Sequence, residues 1–318
     1  MDTASLTRRL GIGLVLGLAV VLGLGLLADL PRLIAALSRW QWSFLPLVVA
    51  AVLANYGLRF LRWHYYLHVV GVHDVTSPVS LAIFLSGFAL TMTPGKLGEV
   101  LKSFLLRQVN ETPVSYSASL VVAERLTDVL AMVLLAALGL GAFQAGWQAL
   151  LIVSLCCLAL IVVVQQRELC LHLLDVAGRL PWVGRFAGLA RNLYESSYLL
   201  LQWRPLLAAT LVAVLAWFGE CLAFYLVLVG LGTPGAFSLL FQATFIYATA
   251  SLLGALSFLP GGLGATEGSM ALMLTQLTGL TRDPAIAATL LIRFATLWFA
   301  VLLGVFSLLF FQRRLATT

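Results

Sequence analysis

The sequence has very little charge. Only 10% of its 318 residues are Asp, Glu, Lys or Arg, whereas 61% are hydrophobic. Soluble domains have about 25% charged and about 45–50% apolar residues, so this composition cannot cover a water-facing surface. It excludes a separate soluble domain. Because a membrane-crossing helix needs about 20 apolar residues, the length instead indicates about six to eight membrane segments.

Cysteine and catalytic motifs are scarce as well. The four cysteines form no C-x-x-C pair and have no His at ligand spacing, which argues against disulfides and a metal site. The sequence has no G-x-S-x-G, H-E-x-x-H or P-loop motif. The net charge of +6 comes without a basic run. We therefore expect no enzyme activity, catalytic residue, metal, cofactor or nucleic-acid partner.

Apolar runs define the expected threading of the chain. Six runs are suitable as membrane-spanning helices: 10–28, 44–61, 117–143, 150–164, 206–229 and 285–311. Two further runs are interrupted by Pro and clustered Gly, and we interpret them as re-entrant hairpins at 80–108 and 237–280. The run 80–93 would be only about 21 Å long as a helix, less than a hydrocarbon core of about 30 Å. The prediction is an all-α polytopic membrane protein.

Arginine positions predict the orientation. With this threading, twelve arginines lie on one side and Arg32, Arg39 and Arg282 on the other, so the first side is cytoplasmic. Both termini are expected in the cytoplasm. The segment 165–205 combines arginines with aromatic residues and leucines, which is typical of helix lying at the membrane interface.

The two interrupted runs share a motif. Thr93-Pro94-Gly95-Lys96-Leu97-Gly98-Glu99 in the first corresponds to Leu259-Pro260-Gly261-Gly262-Leu263-Gly264-Ala265-Thr266-Glu267 in the second, and each precedes an arginine, Arg125 or Arg293. Three spans separate the hairpins, so the copies have opposite orientations. We predict one transmembrane domain, 1–318, with an inverted repeat formed by 44–143 and 206–311. Secondary transporters use this architecture for alternating access to a site near the midplane.

Several ionisable residues lie in otherwise apolar helices: Glu124, Arg125, Asp128, Glu220 and Arg293. Such groups usually line a substrate or proton path, although a structural salt-bridge network is the alternative. Free backbone N–H groups at a broken helix bind anions, and Lys96 and Lys102 could help to neutralise one. For these two lysines, anchoring at the cytoplasmic interface is equally compatible with the sequence. Arg59 and Arg62 beside Trp63 are interpreted as interfacial anchors.

Four stretches together resemble the flippase-like transmembrane region of bacterial lysylphosphatidylglycerol synthases, which also occurs as stand-alone proteins. They are Arg59-Phe60-Leu61-Arg62-Trp63, Thr93 to Glu99 with Lys102, Glu124-Arg125-Leu126-Thr127-Asp128, and Leu259 to Gly264 with Glu267. In two-domain members a cytoplasmic aminoacyl-transferring domain follows. Because this sequence ends at Thr318, the resemblance gives no support for synthase activity.

The resemblance implies movement of a lipid between membrane leaflets. We expect an anionic, phosphate-bearing headgroup, carried by a phospholipid or a polyprenyl-phosphate lipid, in the bacterial cytoplasmic membrane. The alternatives are a membrane-embedded enzyme that modifies lipid headgroups and an anchoring or scaffold subunit for a lipid-biosynthesis enzyme. The expected substrate-binding residues are Pro94, Gly95, Lys96, Gly98, Glu99, Lys102, Glu124, Arg125, Asp128, Glu220, Pro260, Gly261, Gly262, Gly264, Glu267 and Arg293. The carboxylates among them could hold the cations when the site is empty, or carry protons.

Overall fold

A computed structural model describes residues 30–93, 99–140, 147–178 and 184–315. Within these ranges the chain is helical and contains no strand, as the composition predicts. The α-helices are α1 (Leu30–Arg39), α2 (Leu45–Val69), α3 (Ser77–Gly87), α4 (Leu101–Asn110), α5 (Val114–Leu140), α6 (Trp147–Gln165), α7 (Arg167–Gly178), α8 (Gly184–Leu201), α9 (Trp203–Gly230), α10 (Phe237–Leu256), α11 (Ala265–Leu277), α12 (Arg282–Arg293) and α13 (Phe299–Leu315). The predicted first span, 10–28, lies outside the described residues.

Four of the described helical segments are long and apolar enough to cross a membrane: Trp42–Val69, Trp203–Gly230, Phe237–Leu256 and Arg282–Phe311. α9 shows why such a helix is stable in lipid. Its Leu207, Leu211 and Leu215 recur every four residues and are 56–65% exposed, which forms an apolar outer stripe. Its opposite side packs against α2 and α5. The chain is a multi-pass membrane protein.

Both interrupted runs contain broken helices. In the first, α3 continues into a short 3-10 turn at Phe88–Leu90, and helix resumes at α4. The apolar helical segment Ser77–Leu90 is shorter than the candidate spans, in line with the sequence prediction. In the second, a 3-10 turn at Pro260–Gly262 separates α10 from α11. Because α10 has 20 residues, it is long enough to cross the membrane, and the re-entrant placement of 237–280 stays a prediction.

Gly261, Gly262 and Gly264 allow the second break. Their φ values are +62°, +68° and +86°, a region that L side chains adopt only with strain. Gly262 also lies against Gly254 of α10, where a Cβ would be 3.1 Å from the Gly254 Cα. The turn is therefore both left-handed and too close to α10 for larger residues.

Two features of the helices differ from the sequence prediction. The span expected at 44–61 is longer in the structure, because α2 continues to Val69. The second half of α2 is packed inside the helix bundle. The span expected at 285–311 is helical throughout, but a π-helix at Phe294–Trp298 interrupts it directly after Arg293. The segment 165–205 forms α7 and α8, and α8 packs against α5. Its position at the interface stays a prediction.

Candidate functional site

Seven charged residues from α2, α4, α5 and the turn before α4 form one buried cluster, which we call the charge cluster. Its members are Arg59, Arg62, Glu99, Lys102, Glu124, Arg125 and Asp128. Only Arg125 has a substantially exposed side chain, at 24%. Charged groups inside a membrane protein need partners because the surroundings cannot solvate them. Among the described residues, the cluster meets this need with six ion pairs.

Asp128 lies between two arginines. Its carboxylate is 2.8 Å from Arg62 and 2.9 Å from Arg125. The indole N–H of Trp217 donates a hydrogen bond to the same carboxylate at 3.0 Å. Arg62 also donates to the hydroxyl of Thr127 at 3.0 Å. These contacts join α2, α5 and α9 around a single acid.

Glu99 and Glu124 bring the first break into the cluster. Glu99 lies 3.1 Å from Arg125, 3.8 Å from Lys102 and 3.9 Å from Arg59. The ammonium group of Lys102 donates to Glu124 at 2.5 Å. It also lies 4.7 Å from the centre of the Trp63 ring, which adds a cation–π contact. The last residue of the first motif, Glu99, and Lys102 after it are therefore held against α2 and α5.

The second break has a matching acid and arginine. The guanidinium group of Arg293 donates to Glu267 at 2.5 Å and to the carbonyl oxygen of Gly261 at 2.9 Å. The other carboxylate oxygen of Glu267 accepts a hydrogen bond from the N–H of Gly264, directly before α11. The arginine on α12 thus holds the turn between α10 and α11. Glu99 and Arg125 have the same sequence separation as Glu267 and Arg293, 26 residues.

A cavity of about 250 Å³ lies between the charge cluster and the second break. Arg59, Arg125 and Arg293 line it, together with Asp128 and Glu220. Tyr247 donates a hydrogen bond to Glu220 at 2.6 Å. Apolar residues from the second break complete the wall, including Phe258, whose surface is 72% exposed. The wall of the cavity therefore has two parts: one carries the arginines, and the other is apolar.

Comparisons with known proteins agree with this architecture. The family model described as "Lysylphosphatidylglycerol synthase TM region" matches residues 14–304, which is most of the chain. The chain belongs to this family. A UPF0104 membrane protein of Methanothermobacter thermautotrophicus is 36% identical over 94 residues. That alignment covers 30% of the present chain and 27% of the archaeal protein.

The structure brings many of the expected site residues together. Arg125, Asp128, Glu220, Gly261, Gly262 and Arg293 line the cavity. Glu99, Lys102, Glu124 and Glu267 form ion pairs next to it. Gly264 contacts Glu267, and Pro260 begins the 3-10 turn. Pro94, Gly95, Lys96 and Gly98 lie outside the described residues.

The interpretation of Arg59 and Arg62 as interfacial anchors is wrong. They are 8% and 1% exposed, and each is ion-paired with a carboxylate of the charge cluster. Both residues, with Asn55 and Tyr66, lie on one buried face of α2 at spacings of three and four. That spacing is visible in the sequence and was the signal that could have placed them in the site. Trp217 and Tyr247 were also missed, because isolated aromatic residues are common in membrane helices.

Proposed function

We propose that this protein moves a lipid with an anionic, phosphate-bearing headgroup between the leaflets of the bacterial cytoplasmic membrane. The observation that carries the proposal is the cavity itself, because three arginines from three different helices face it. Arginine suits phosphate oxygens, since its planar fork of N–H donors matches their geometry. Membership of a family associated with lipid handling supports the same class of substrate.

Alternating access would follow from an inverted repeat. Two observations support that repeat: each broken helix is followed by a Glu–Arg ion pair, and the two pairs have the same separation of 26 residues. Both arginines then face one cavity. A pair of repeats with opposite orientations can open such a cavity to either side in turn.

The phosphate group would bind by competing with the carboxylates. In the structure, Arg125 contacts Glu99 and Asp128, and Arg293 contacts Glu267. An entering phosphate would take over part of these contacts, so the cations are never left without an anion. The lipid tails would stay in the hydrocarbon beside the exposed apolar residues Phe258 and Leu259.

Movement between leaflets can be measured with the purified protein. Vesicles of phosphatidylcholine would contain a trace of phosphatidylglycerol with a fluorescent label on an acyl chain. A membrane-impermeant reductant then reports the fraction of label in the outer leaflet. We expect the wild-type protein to make nearly all label accessible to the reductant. Arg125→Ala should reduce the initial rate of lipid movement at least tenfold, since about 1.4 kcal/mol of lost binding free energy corresponds to tenfold.

Arg191→Ala is the matched control, because Arg191 is 50% exposed and forms ion pairs only with Asp175 and Glu195 among the described residues. It should move lipid at the wild-type rate. Unchanged movement by Arg125→Ala would remove that residue from the site. Lipid recovered with an altered mass would instead favour an enzyme that modifies headgroups. Absence of both movement and chemical change would favour a scaffold for a partner enzyme.

A further inference from the structure

The π turn lies directly beside one of the arginines that line the cavity. Arg293 is the last residue of α12, the π-helix Phe294–Trp298 follows, and α13 begins at Phe299. The N–H of Phe299 donates to the carbonyl oxygen of Phe294, five residues earlier, where regular α-helix uses the fourth. Because each residue of an α-helix turns the chain by about 100°, conversion to regular helix would rotate α12 relative to α13 by about that angle. The direction of Arg293 therefore depends on this turn.

The helix on the far side of the π turn, α13, is held against the first break. It packs along α3 and along the 3-10 turn Phe88–Leu90. A Cβ placed on Gly304 of α13 would collide with the backbone of Ala89 in that turn, so the two backbones touch. Rotation of α13 would bring larger side chains into this contact. A change in the π turn would therefore turn Arg293 away from its present direction.

The present direction of Arg293 is the one that the site requires. Its side chain lines the cavity, and its partners among the described residues are Glu267 and the carbonyl oxygen of Gly261, both from the second break. These contacts exist only while the guanidinium group leaves α12 on the side of the cavity. A rotation of about 100° would remove the arginine from its partners and from the cavity together.

Tyr56 of α2 contacts the π turn from another helix. Its hydroxyl donates to the carbonyl oxygen of Thr296 at 2.7 Å, inside the turn. The tyrosine is 5% exposed, and its ring lies 5.0 Å from the ring of Phe88 and 6.2 Å from that of Phe299. The position of the hydroxyl is thus fixed by the first break and by the start of α13. Conversion to regular helix would displace the Thr296 carbonyl, so the hydrogen bond favours the π form.

We propose that Tyr56 is a positioning residue for anionic lipid: its hydroxyl holds the π turn and thereby directs Arg293 into the cavity. The inference rests on the proposed lipid transport. Arg293 binds the phosphate, and Tyr56 acts through it without having to touch the substrate. Because Tyr56 lies in the predicted first repeat and Arg293 in the second, the hydrogen bond also makes the binding site of one repeat depend on the position of the other.

The test uses Tyr56→Phe, which removes a single oxygen atom, in the same vesicles with labelled phosphatidylglycerol. The label is present in trace amounts, so the initial rate reports kcat/KM. We expect the variant to move lipid about fivefold more slowly than the wild type, which corresponds to about 1 kcal/mol, the net value of a typical hydrogen bond. Tyr65→Phe is the matched control, because Tyr65 lies on the same helix and is 37% exposed. It should move lipid at the wild-type rate.

A double variant separates positioning of Arg293 from a general structural role. Arg293→Ala lowers the rate by itself, and addition of Tyr56→Phe should lower it no further, because the tyrosine acts through the arginine. A further fivefold decrease in the double variant would overturn the inference, since Tyr56 would then act independently of Arg293. Equal rates of Tyr56→Phe and the wild type would also overturn it and leave lipid transport intact.

Amide hydrogen exchange tests the π turn without any lipid movement. In the purified protein, peptides that cover residues 294–302 should exchange faster in Tyr56→Phe than in the wild type or in Tyr65→Phe, because the turn has lost a bond that holds it. Unchanged exchange in this segment would show that the hydroxyl does not hold the turn and would overturn the inference. Absence of any lipid movement by the wild type would instead contradict the proposed function itself.

Discussion

At the scale of single residues, the stability of the charge cluster depends on buried cations, of which Arg62 is the most completely buried. Arg62 is 1% exposed and joins Asp128 to Thr127. A buried ion pair adds little stability compared with well-packed apolar groups, but removal of one partner leaves the other charge buried. Arg62 therefore contributes to stability mainly by compensating the buried charge of Asp128.

This reasoning predicts that Arg62→Ala lowers the free energy of unfolding in detergent by about 3 kcal/mol. The expected value is at the lower end of the range for broken buried pairs, since Asp128 keeps Arg125 and Trp217. The measurement is a denaturant titration followed by helix content. Arg107→Ala is the control because Arg107 is exposed on α4. Equal stability of the two variants would show that Arg62 does not compensate the buried acid.

At the scale of secondary structure elements, close contact between α10 and α11 shapes the second break. A Cβ placed on Gly254 of α10 would lie 1.9 Å from the hydroxyl oxygen of Thr266 on α11. The next nearest atoms are at 3.3 Å and 3.5 Å, so this hydroxyl accounts for most of the clash. Small residues allow helices to approach in this way inside membranes.

Gly254→Ala is therefore expected to destabilise the protein by about 1–3 kcal/mol, as overpacking does. Removing the hydroxyl as well, in Gly254→Ala with Thr266→Ala, should recover much of that loss. Gly268→Ala on α11 is the matched control: a Cβ there meets nothing within 4 Å, and alanine favours helix by up to about 1 kcal/mol. The same denaturant titration measures these three and the single variant Thr266→Ala. Strict additivity in the double variant would contradict the steric explanation.

The π-helix at Phe294–Trp298 was not predicted from the sequence, and its position has a structural consequence. The carbonyl oxygen of Thr296 accepts a hydrogen bond from the hydroxyl of Tyr56 at 2.7 Å. Single π turns leave backbone groups available for such contacts and often occur near functional sites. Nothing in the local sequence, Phe-Ala-Thr-Leu-Trp, distinguishes this turn from regular helix, because these residues are common in membrane helices. It depends on packing between α2 and the last helices.

At the scale of the whole molecule, composition and apolar runs predict an all-α membrane protein because the bilayer imposes those properties directly. The second broken helix is predictable too, since Pro260 lacks a backbone N–H and the clustered glycines after it disfavour helix. The partners of the charges are less predictable. The spacing of Arg59 and Arg62 with Asn55 and Tyr66 indicates one face of a helix. The packing of α2 against α5 and α9 shows which residues that face meets. Hydropathy cannot show which residues from distant helices meet.

The two broken helices also touch one another beside the cavity. A Cβ on Gly261 would lie 3.5 Å from the Cα of Met92, and Met92 packs with Leu263, Leu297 and Val301. If the two repeats move relative to one another during transport, this contact has to open once in each cycle. Cysteines placed at the two positions would lie close together, as a disulfide requires.

We therefore predict that Met92→Cys with Gly261→Cys, in a protein without its four native cysteines, stops lipid movement when oxidised and recovers it when reduced. The measurement is the reductant assay in vesicles, with the cross-linked fraction determined by peptide mass. The controls are the two single cysteine variants, treated with the same oxidant. The Gly261→Cys control also separates the effect of a side chain at a residue with positive φ from the effect of the disulfide bond. Wild-type rates in fully cross-linked protein would mean that the two breaks stay together, and lipid would then have to pass without alternating access.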